Sequence, residues 1–363
     1  MHLHEQRRDA RNRRPWRRVT LGIPAATLAV FLAATPALAC GGLIGPNGAV
    51  NLLRTTTLAG YHDGVEHYVT AFQFAGGGGK FGSITPLPGV PTSVVKGGDW
   101  TLQRLVRETN PLRFEALDAA SAPAASGAVE LMTVKIDALD LTVLQGGAAD
   151  IGQWATKHGF RLPPDAPDVL DFYARRSQIF LAAAFDADAA KQRGQQIGDG
   201  TPVHITIPTK NPWVPLRILA LGKTAAEPVT ADVYLLTDRA PALLPAPNGS
   251  NGIRLDASET ASDSLLGDLR SDRGMEWVPQ TGWLTKVAVD GTAGQLGYDL
   301  AVDASGAGRP SAVDAGLALP GVTPPPTPID WTRLMLALAF VGVGITGVLL
   351  IGRGTRRGRP LAS

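Results

Sequence analysis

The sequence contains a single cysteine, Cys40, among 363 residues. One cysteine cannot form an intrachain disulfide, so a folded domain of this chain must depend on an apolar core. Familiar catalytic motifs are missing as well: there is no G-x-S-x-G, no H-E-x-x-H, no C-x-x-C, and no S-x-x-K with the motifs that accompany it. These absences lower the expectation of an enzyme without excluding one.

Charge is absent from residues 21–38, and seven arginines precede that stretch. The stretch ends in Ala37-Leu38-Ala39, the small-x-small pattern that a signal peptidase accepts. The sequence therefore predicts a signal peptide over residues 1–39. Cleavage there would leave Cys40 at the mature N-terminus, where it could carry a lipid or remain a free thiol. Mass spectrometry of the mature N-terminal peptide distinguishes these two alternatives.

A second uncharged stretch, residues 334–351, is long enough at about 1.5 Å per residue to cross most of a hydrocarbon core of about 30 Å. We predict one transmembrane helix over residues 331–352. Four arginines follow within residues 353–363, and only Arg333 lies on the other side. This bias predicts a single-pass protein of the cell membrane, with an outside N-terminal domain and a cytoplasmic Arg-rich tail.

Residues 40–303 remain as the predicted ectodomain, with a possible sub-boundary near residues 145–150. Residues 304–330 are rich in Pro, Gly and Ala and predict a stalk. Of the 34 Lys and Arg and the 32 Asp and Glu, seven cations and two anions precede Leu21 and five cations follow Asp330. Residues 40–330 therefore carry a net charge of −8. A negative surface disfavours nucleic acid as a partner.

The pattern of apolar residues predicts an α+β class, with a β-rich domain and a few short helices. Residues 68–74 and 81–84, joined by Gly76–Gly79, are predicted to form a hairpin. A long strand region over residues 129–143 is expected to break near Asp137. Further strands are predicted over residues 178–185, 203–207, 216–221, 232–236, 284–289 and 298–302. Helices are predicted over residues 101–109 after Asp99, 151–158 after Asp150, and from Asp165 to Arg176.

The segment from His62 to His67 is the strongest candidate metal site in the sequence. Its ligands would be His62, Glu66 and His67, because two imidazoles and a carboxylate can bind zinc. However, the spacing H-x-x-x-E-H is one residue longer than H-x-x-E-H, and Asp63-Gly64 is a turn signal. A hairpin turn is therefore the favoured interpretation. His204 is a possible base, but the sequence indicates no partner for it.

Several segments together resemble a bacterial family of exported proteins that is known only as a domain of unknown function. They are Cys40-Gly41-Gly42 after the signal, the F-x-x-x-x-P-x-P-x-x-P segment of residues 81–91, WATKHGFRLP of residues 154–163, residues 170–185, and WVPLRI of residues 213–218. The resemblance covers roughly residues 40–244. It implies export and, in many members, a C-terminal anchor; it brings no catalytic residues.

The leading functional hypothesis is a non-enzymatic module that binds an envelope protein or ligand. The stalk, the anchor and the missing catalytic motifs motivate it. The alternative is an envelope hydrolase that uses a metal held by His62, Glu66 and His67. No cofactor is predicted.

Overall fold

The computed structural model of the protein describes residues 37–38, 42–45, 48–49, 54–73, 81–109, 129–194 and 200–318, which belong to one compact unit. The strands and helices within these residues are, in chain order, β1 (Ala37–Leu38), β2 (Gly42–Gly45), β3 (Gly48–Ala49), β4 (Arg54–His62), β5 (Val65–Gln73), β6 (Phe81–Pro86), β7 (Ser93–Lys96), α1 (Thr101–Thr109), β8 (Val129–Ile136), β9 (Leu139–Gln145), α2 (Ala148–Lys157), α3 (Ala166–Ala174), β10 (Ile179–Phe185), α4 (Ala187–Gln192), β11 (Gly200–Pro208), β12 (Trp213–Val214), β13 (Pro228–Thr237), β14 (Ala242–Leu244), β15 (Ile253–Thr260), α5 (Asp263–Ser271), β16 (Trp283–Thr292) and β17 (Leu300–Asp303), with 3-10 turns at Arg217–Ala220 and Ala293–Gln295.

The strands form two large sheets and one small one. The eight-stranded sheet has the order β15-β16-β13-β4-β5-β11-β7, with β1 beside β4, and the six-stranded sheet has the order β3-β2-β6-β10-β9-β8. The third sheet has the order β12-β17-β14. Neighbouring strands are antiparallel except β4 with β13 and β1 with β4.

Three apolar clusters show that the domain has four layers. The two large sheets face each other across a core that includes Tyr68 and Ile205 from one sheet and Leu181 from the other. A second cluster joins the outer face of the six-stranded sheet to α2 and α3. The third joins the outer face of the eight-stranded sheet to α1 and α5. Helices therefore cover both outer faces of a β-sandwich, so the domain is β-rich α+β, as the sequence predicts.

The predicted hairpin of residues 68–84 is wrong. Strand β5 pairs with β4 and β11, whereas β6 pairs with β2 and β10 in the other sheet. The chain therefore passes from the eight-stranded sheet to the six-stranded sheet between β5 and β6, where a return within one sheet was expected. The predicted strand over residues 216–221 is also wrong, because Arg217–Ala220 form a 3-10 turn. The helix over residues 101–109 and the break at Asp137 are confirmed.

The first half of the predicted stalk packs against the domain. Ala315 is fully buried, its carbonyl accepts a hydrogen bond from the backbone N–H of Asp299 at 3.0 Å, and Gly316 lies against Phe172. Residues 304–318 thus extend the folded domain. Among the residues that the structure describes, no helix is both long and apolar enough to cross a bilayer. Several sequence predictions fall outside the described residues. They concern Cys40, most of the predicted signal, residues 319–330 and the predicted span 331–352.

Candidate functional site

The segment from His62 to His67 forms a tight turn between β4 and β5. Asp63 and Gly64 both have positive φ, at 49° and 78°, which is the backbone of a two-residue hairpin turn. The cross-strand pair His62 and Val65 closes it. The hairpin interpretation of this segment is confirmed.

The alternation of side chains along β5 separates the three predicted metal ligands. Tyr68 points into the core between the sheets, and Val69 points to the outer face under α1 and α5. Because successive residues of a strand point to opposite faces, Glu66 points inward and His67 outward. Within the described part of the chain, no group of three or more His, Cys, Asp or Glu side chains is placed to hold a metal ion.

His62 is on the same face as His67 but has its own partners. Its Nδ1 lies 2.6 Å from a carboxylate oxygen of Asp238, and its Nε2 lies 3.4 Å from Asp63. These contacts link the hairpin to the residue that follows β13. The arrangement holds the end of the sheet without bringing the imidazole of His62 to a common ligand site.

His67 instead pairs with His204 of β11. Nδ1 of His67 lies 3.0 Å from Nε2 of His204, and the ring of His67 stacks on the indole of Trp277 at 3.9 Å and 5°. Trp277 occupies the space above Gly60, the residue directly opposite His67 on β4. The two histidines and Trp277 form a cluster on the outer face of the eight-stranded sheet, which we call the histidine cluster.

The contacts of the histidine cluster are consistent with one assignment of its ring protons. Nδ1 of His204 faces Gly274, and a backbone hydrogen bond there raises the pKa of His204, as expected when a ring N–H donates to a carbonyl. In that assignment Nε2 of His204 accepts from Nδ1–H of His67, and Nε2 of His67 keeps its lone pair.

Burial keeps both rings of the histidine cluster neutral at pH 7. Desolvation lowers the pKa of His67 to about 3, with a smaller contribution from His204. Desolvation also lowers the pKa of His204 to about 4, although Glu276 and Gly274 act in the opposite direction. A histidine with such a low pKa is a weak base, so the cluster is better suited to hold strands and a loop together than to abstract protons.

Glu66 is a buried carboxyl group between the sheets. Its side chain is 0% exposed, and neither carboxyl oxygen has a hydrogen-bond partner of normal geometry among the described residues. Burial raises the pKa of Glu66 to about 8, and the approaching backbone N–H of Trp213 only partly opposes this. The group is therefore mainly protonated at neutral pH. Sequence reasoning offered it as one of three candidate metal ligands, although the alternation along β5 already places it in the core.

The longest open strand edge of the eight-stranded sheet is β15. It is the terminal strand of that sheet and pairs along its length with β16. On its other side Asn248 bridges Arg254 and the N–H of Gly249 donates to the carbonyl of Ile253, so among the described residues the edge is open from Leu255 to Thr260. Ile253 alone is buried in the core, and Leu255 is 45% exposed. A β-bulge lies between Leu255 and Ala257. This edge was not predicted, because an exposed edge strand has few apolar residues and so lacks the alternation by which strands are recognised.

Comparison with solved structures gives only distant likeness. The crystal structure of baculovirus P35 is 11% identical and covers 69% of this chain and 96% of its own, with a TM-score of 0.36. A mutated baculovirus P35 after caspase cleavage is 8% identical and covers 70% and 98%, with a TM-score of 0.35. TM-scores this low support no conclusion about fold or function. No curated protein matches the chain.

A family model matches residues 34–248, which include both members of the His67–His204 pair. Trp277 and strands β15, β16 and β17 lie beyond the match, although β16 completes the sheet beside β13. The chain belongs to DUF2330, a family described as an uncharacterized protein conserved in bacteria.

Proposed function

We propose that this protein is an extracytoplasmic binding module, anchored in the cell membrane, that recognises an extended protein segment by strand addition at β15. Residues 1–39 would act as its signal peptide, residues 331–352 as its single transmembrane helix and residues 353–363 as a cytoplasmic tail. The charge pattern of the sequence supports this topology. The module would be non-enzymatic and would need no cofactor.

The observation that carries the binding proposal is the edge of β15 that is open from Leu255 to Thr260. Backbone N–H and C=O groups along such an edge are available to a second strand, and they supply affinity that does not depend on sequence. Seven of the eight residues of β15 are not buried, so a partner strand could approach from the solvent side. The exposed Leu255 offers an apolar contact to that strand.

Charges along β15 would give this edge its selectivity. Arg254 is bound to Asp256 at 2.8 Å, and Asp256 also lies 3.5 Å from the ammonium group of Lys286. Charged side chains and bulges are the usual means by which edge strands avoid indiscriminate pairing. An incoming strand would have to complement this charge pattern and the bulge.

Site-specific photocrosslinking in cells tests the proposal. A photoreactive amino acid at Leu255 of the full chain is compared with one at Val129, which is 66% exposed on the terminal strand β8 of the other sheet. We expect a discrete protein adduct from position 255 and none from position 129. No adduct at position 255, or equal adducts at both positions, would overturn strand addition at β15.

An envelope hydrolase is the second candidate, and the ordered chain from Gly274 through His204 to His67 is the observation that favours it. The set of His62, Glu66 and His67 does not support it, because Glu66 lies on the opposite face of the sheet. We rank this candidate lower because the pKa of His67 is about 3. Hydrolysis of envelope substrates that is lost in His67→Phe but kept in His62→Gln would support it.

A further inference from the structure

The last described part of the domain contains a short turn, residues 311–317, which we call the C-terminal turn. The backbone N–H of Leu317 donates to Ala312 and that of Gly316 donates to Val313, at 2.9 and 2.8 Å. With Gly316 at a φ of 70°, this is the Schellman ending of a single helical turn. In that motif the residue after the glycine packs on an apolar residue of the turn, but here the position opposite Leu317 holds only Ala312.

Two apolar side chains of the C-terminal turn therefore remain in solvent. Leu317 is 48% exposed and Val313 is 39% exposed, four residues apart on the same turn. They are two of the few large apolar side chains that the described residues expose to this degree. Each exposes apolar surface to water, and moving that surface into an apolar environment would be favourable.

The C-terminal turn is fixed to the domain on its other side. The guanidinium of Arg176 donates to the carbonyl of Asp314 and forms a fully buried ion pair with Asp299. Gly316 lies against Phe172, where no side chain could fit. The exposed pair Val313 and Leu317 is thus held in one orientation relative to α3.

Only thirteen residues, 318–330, separate the C-terminal turn from the predicted span that begins at residue 331. Even fully extended, thirteen residues reach about 45 Å. The predicted stalk of 27 residues would have allowed more than twice that reach. The face that carries Val313 and Leu317 is therefore the part of the described domain nearest in sequence to the membrane.

We propose that the C-terminal turn docks on the surface of the bilayer, with Val313 and Leu317 inserted at the level of the lipid headgroups. This inference rests on the proposed anchor. Two side chains would bind a membrane only weakly by themselves, but a short tether raises the effective concentration to the millimolar range. The negative charge of the domain disfavours anionic lipids, so the docking is apolar and persists on zwitterionic lipid.

Spin labelling of the full chain in phosphatidylcholine vesicles tests this docking. In a Cys40→Ser background, a nitroxide is attached through Leu317→Cys and, as a matched control, through Leu255→Cys, a leucine of nearly equal exposure at 45%. We expect the label at position 317 to be more accessible to oxygen and less accessible to an aqueous nickel chelate. We expect the label at position 255 to show the reverse.

Vesicle flotation in the same samples separates two failures. If the chain floats with the vesicles and position 317 is as accessible to nickel as position 255, the docking is wrong and the anchor stands. If the full chain does not float, the anchor is wrong, and the docking falls with it. A nitroxide attached through Val313→Cys that lies at a similar depth would further support the proposal. A label at position 313 that is accessible to the nickel chelate would limit the contact to Leu317 and overturn the paired insertion.

Discussion

The indole of Trp277 occupies the place that a side chain at Gly60 would take. Gly60 also lies directly opposite His67, on whose ring the same indole stacks. Because residue 60 has no side chain, Trp277 can pack on His67 although it lies more than two hundred positions away in the sequence.

Gly60→Ala should therefore destabilise the fold. The added methyl group would overlap the ring of Trp277, and the indole would have to leave His67 or shift the strand, at a cost of about 1–3 kcal/mol. Chemical denaturation measures the free energy of unfolding. Gly297→Ala is the control, because a side chain there meets nothing within 4 Å. Equal stability of the two variants would contradict this packing.

Glu66→Gln should stabilise the protein at neutral pH. The folded state keeps the proton of Glu66 up to a pKa of about 8, whereas the unfolded chain loses it near pH 4.5. Stability from this group is present below pH 4.5 and is lost as the pH rises to about 8. At pH 7 the gain from the neutral amide is expected to be about 3 kcal/mol, an upper figure from the linkage relation.

The measurement is the free energy of unfolding of the wild type and of Glu66→Gln between pH 5 and pH 8.5. Glu259→Gln, on the exposed strand β15, is the control and should change little. A stability difference between the wild type and Glu66→Gln that does not grow as the pH rises across this range would show that Glu66 has a partner.

His67 and His204 should make the protein less stable as the pH falls, which is the opposite of the effect of Glu66. Their folded pKa values, about 3 and about 4, lie below the ordinary value of 6.5. Stability from these neutral rings is present above pH 6.5 and is lost as the pH falls toward 3. Together with Glu66, the pair predicts maximum stability near pH 6.5.

Thermal unfolding of His67→Phe between pH 3.5 and pH 7 tests the acid side. The phenyl ring can still stack on Trp277 but cannot titrate, so the melting temperature should fall less steeply with acid than that of the wild type. His158→Gln, whose histidine belongs to the end of α2, should keep the wild-type slope. Parallel slopes for His67→Phe and the wild type would contradict the assignment.

Arg176→Met should be strongly destabilising. Arg176 is 1% and Asp299 0% exposed, so removing the cation leaves a buried carboxylate without a counter-charge, at a cost of about 3–5 kcal/mol. Hydrogen bonds from Tyr173, Leu216 and Arg217 to one oxygen of Asp299 would remain. Arg273→Met removes the exposed ion pair with Asp99 and should cost at most about 1 kcal/mol. Denaturant midpoints compare the two, and similar losses would show that the buried pair contributes little.

Local signals in the sequence predicted local structure well. The left-handed turn at Asp63-Gly64 follows from residue type alone, and so does the helix of residues 101–109, which ends before Pro111. Asp99 does not cap that helix, however. The backbone N–H groups of Asp99 and Trp100 and the hydroxyl of Thr101 instead donate to the carboxylate of Asp272. No local pattern indicates this contact, because Asp272 is 171 residues from Thr101.

Long-range pairing explains most of what the sequence did not predict. Phe81–Pro86 alternate like a returning hairpin strand, yet their partners are in β2 and β10. The sequence shows His204 only as a single histidine in a predicted strand. Its position beside His67 follows from the antiparallel register of β5 and β11. Alternation shows which residues share a face but not which strand is the neighbour.

The parallel pairing of β4 with β13 also sets the order in which the chain can fold. Arg54 lies opposite Thr230 and Tyr61 opposite Thr237. The interior of the eight-stranded sheet therefore cannot close until residue 237 has been synthesised. Contacts so distant in sequence slow folding. The hairpin β4–β5 leaves the β13 side of β4 unpaired while residues 74–237, nearly half of the protein, are added to the chain.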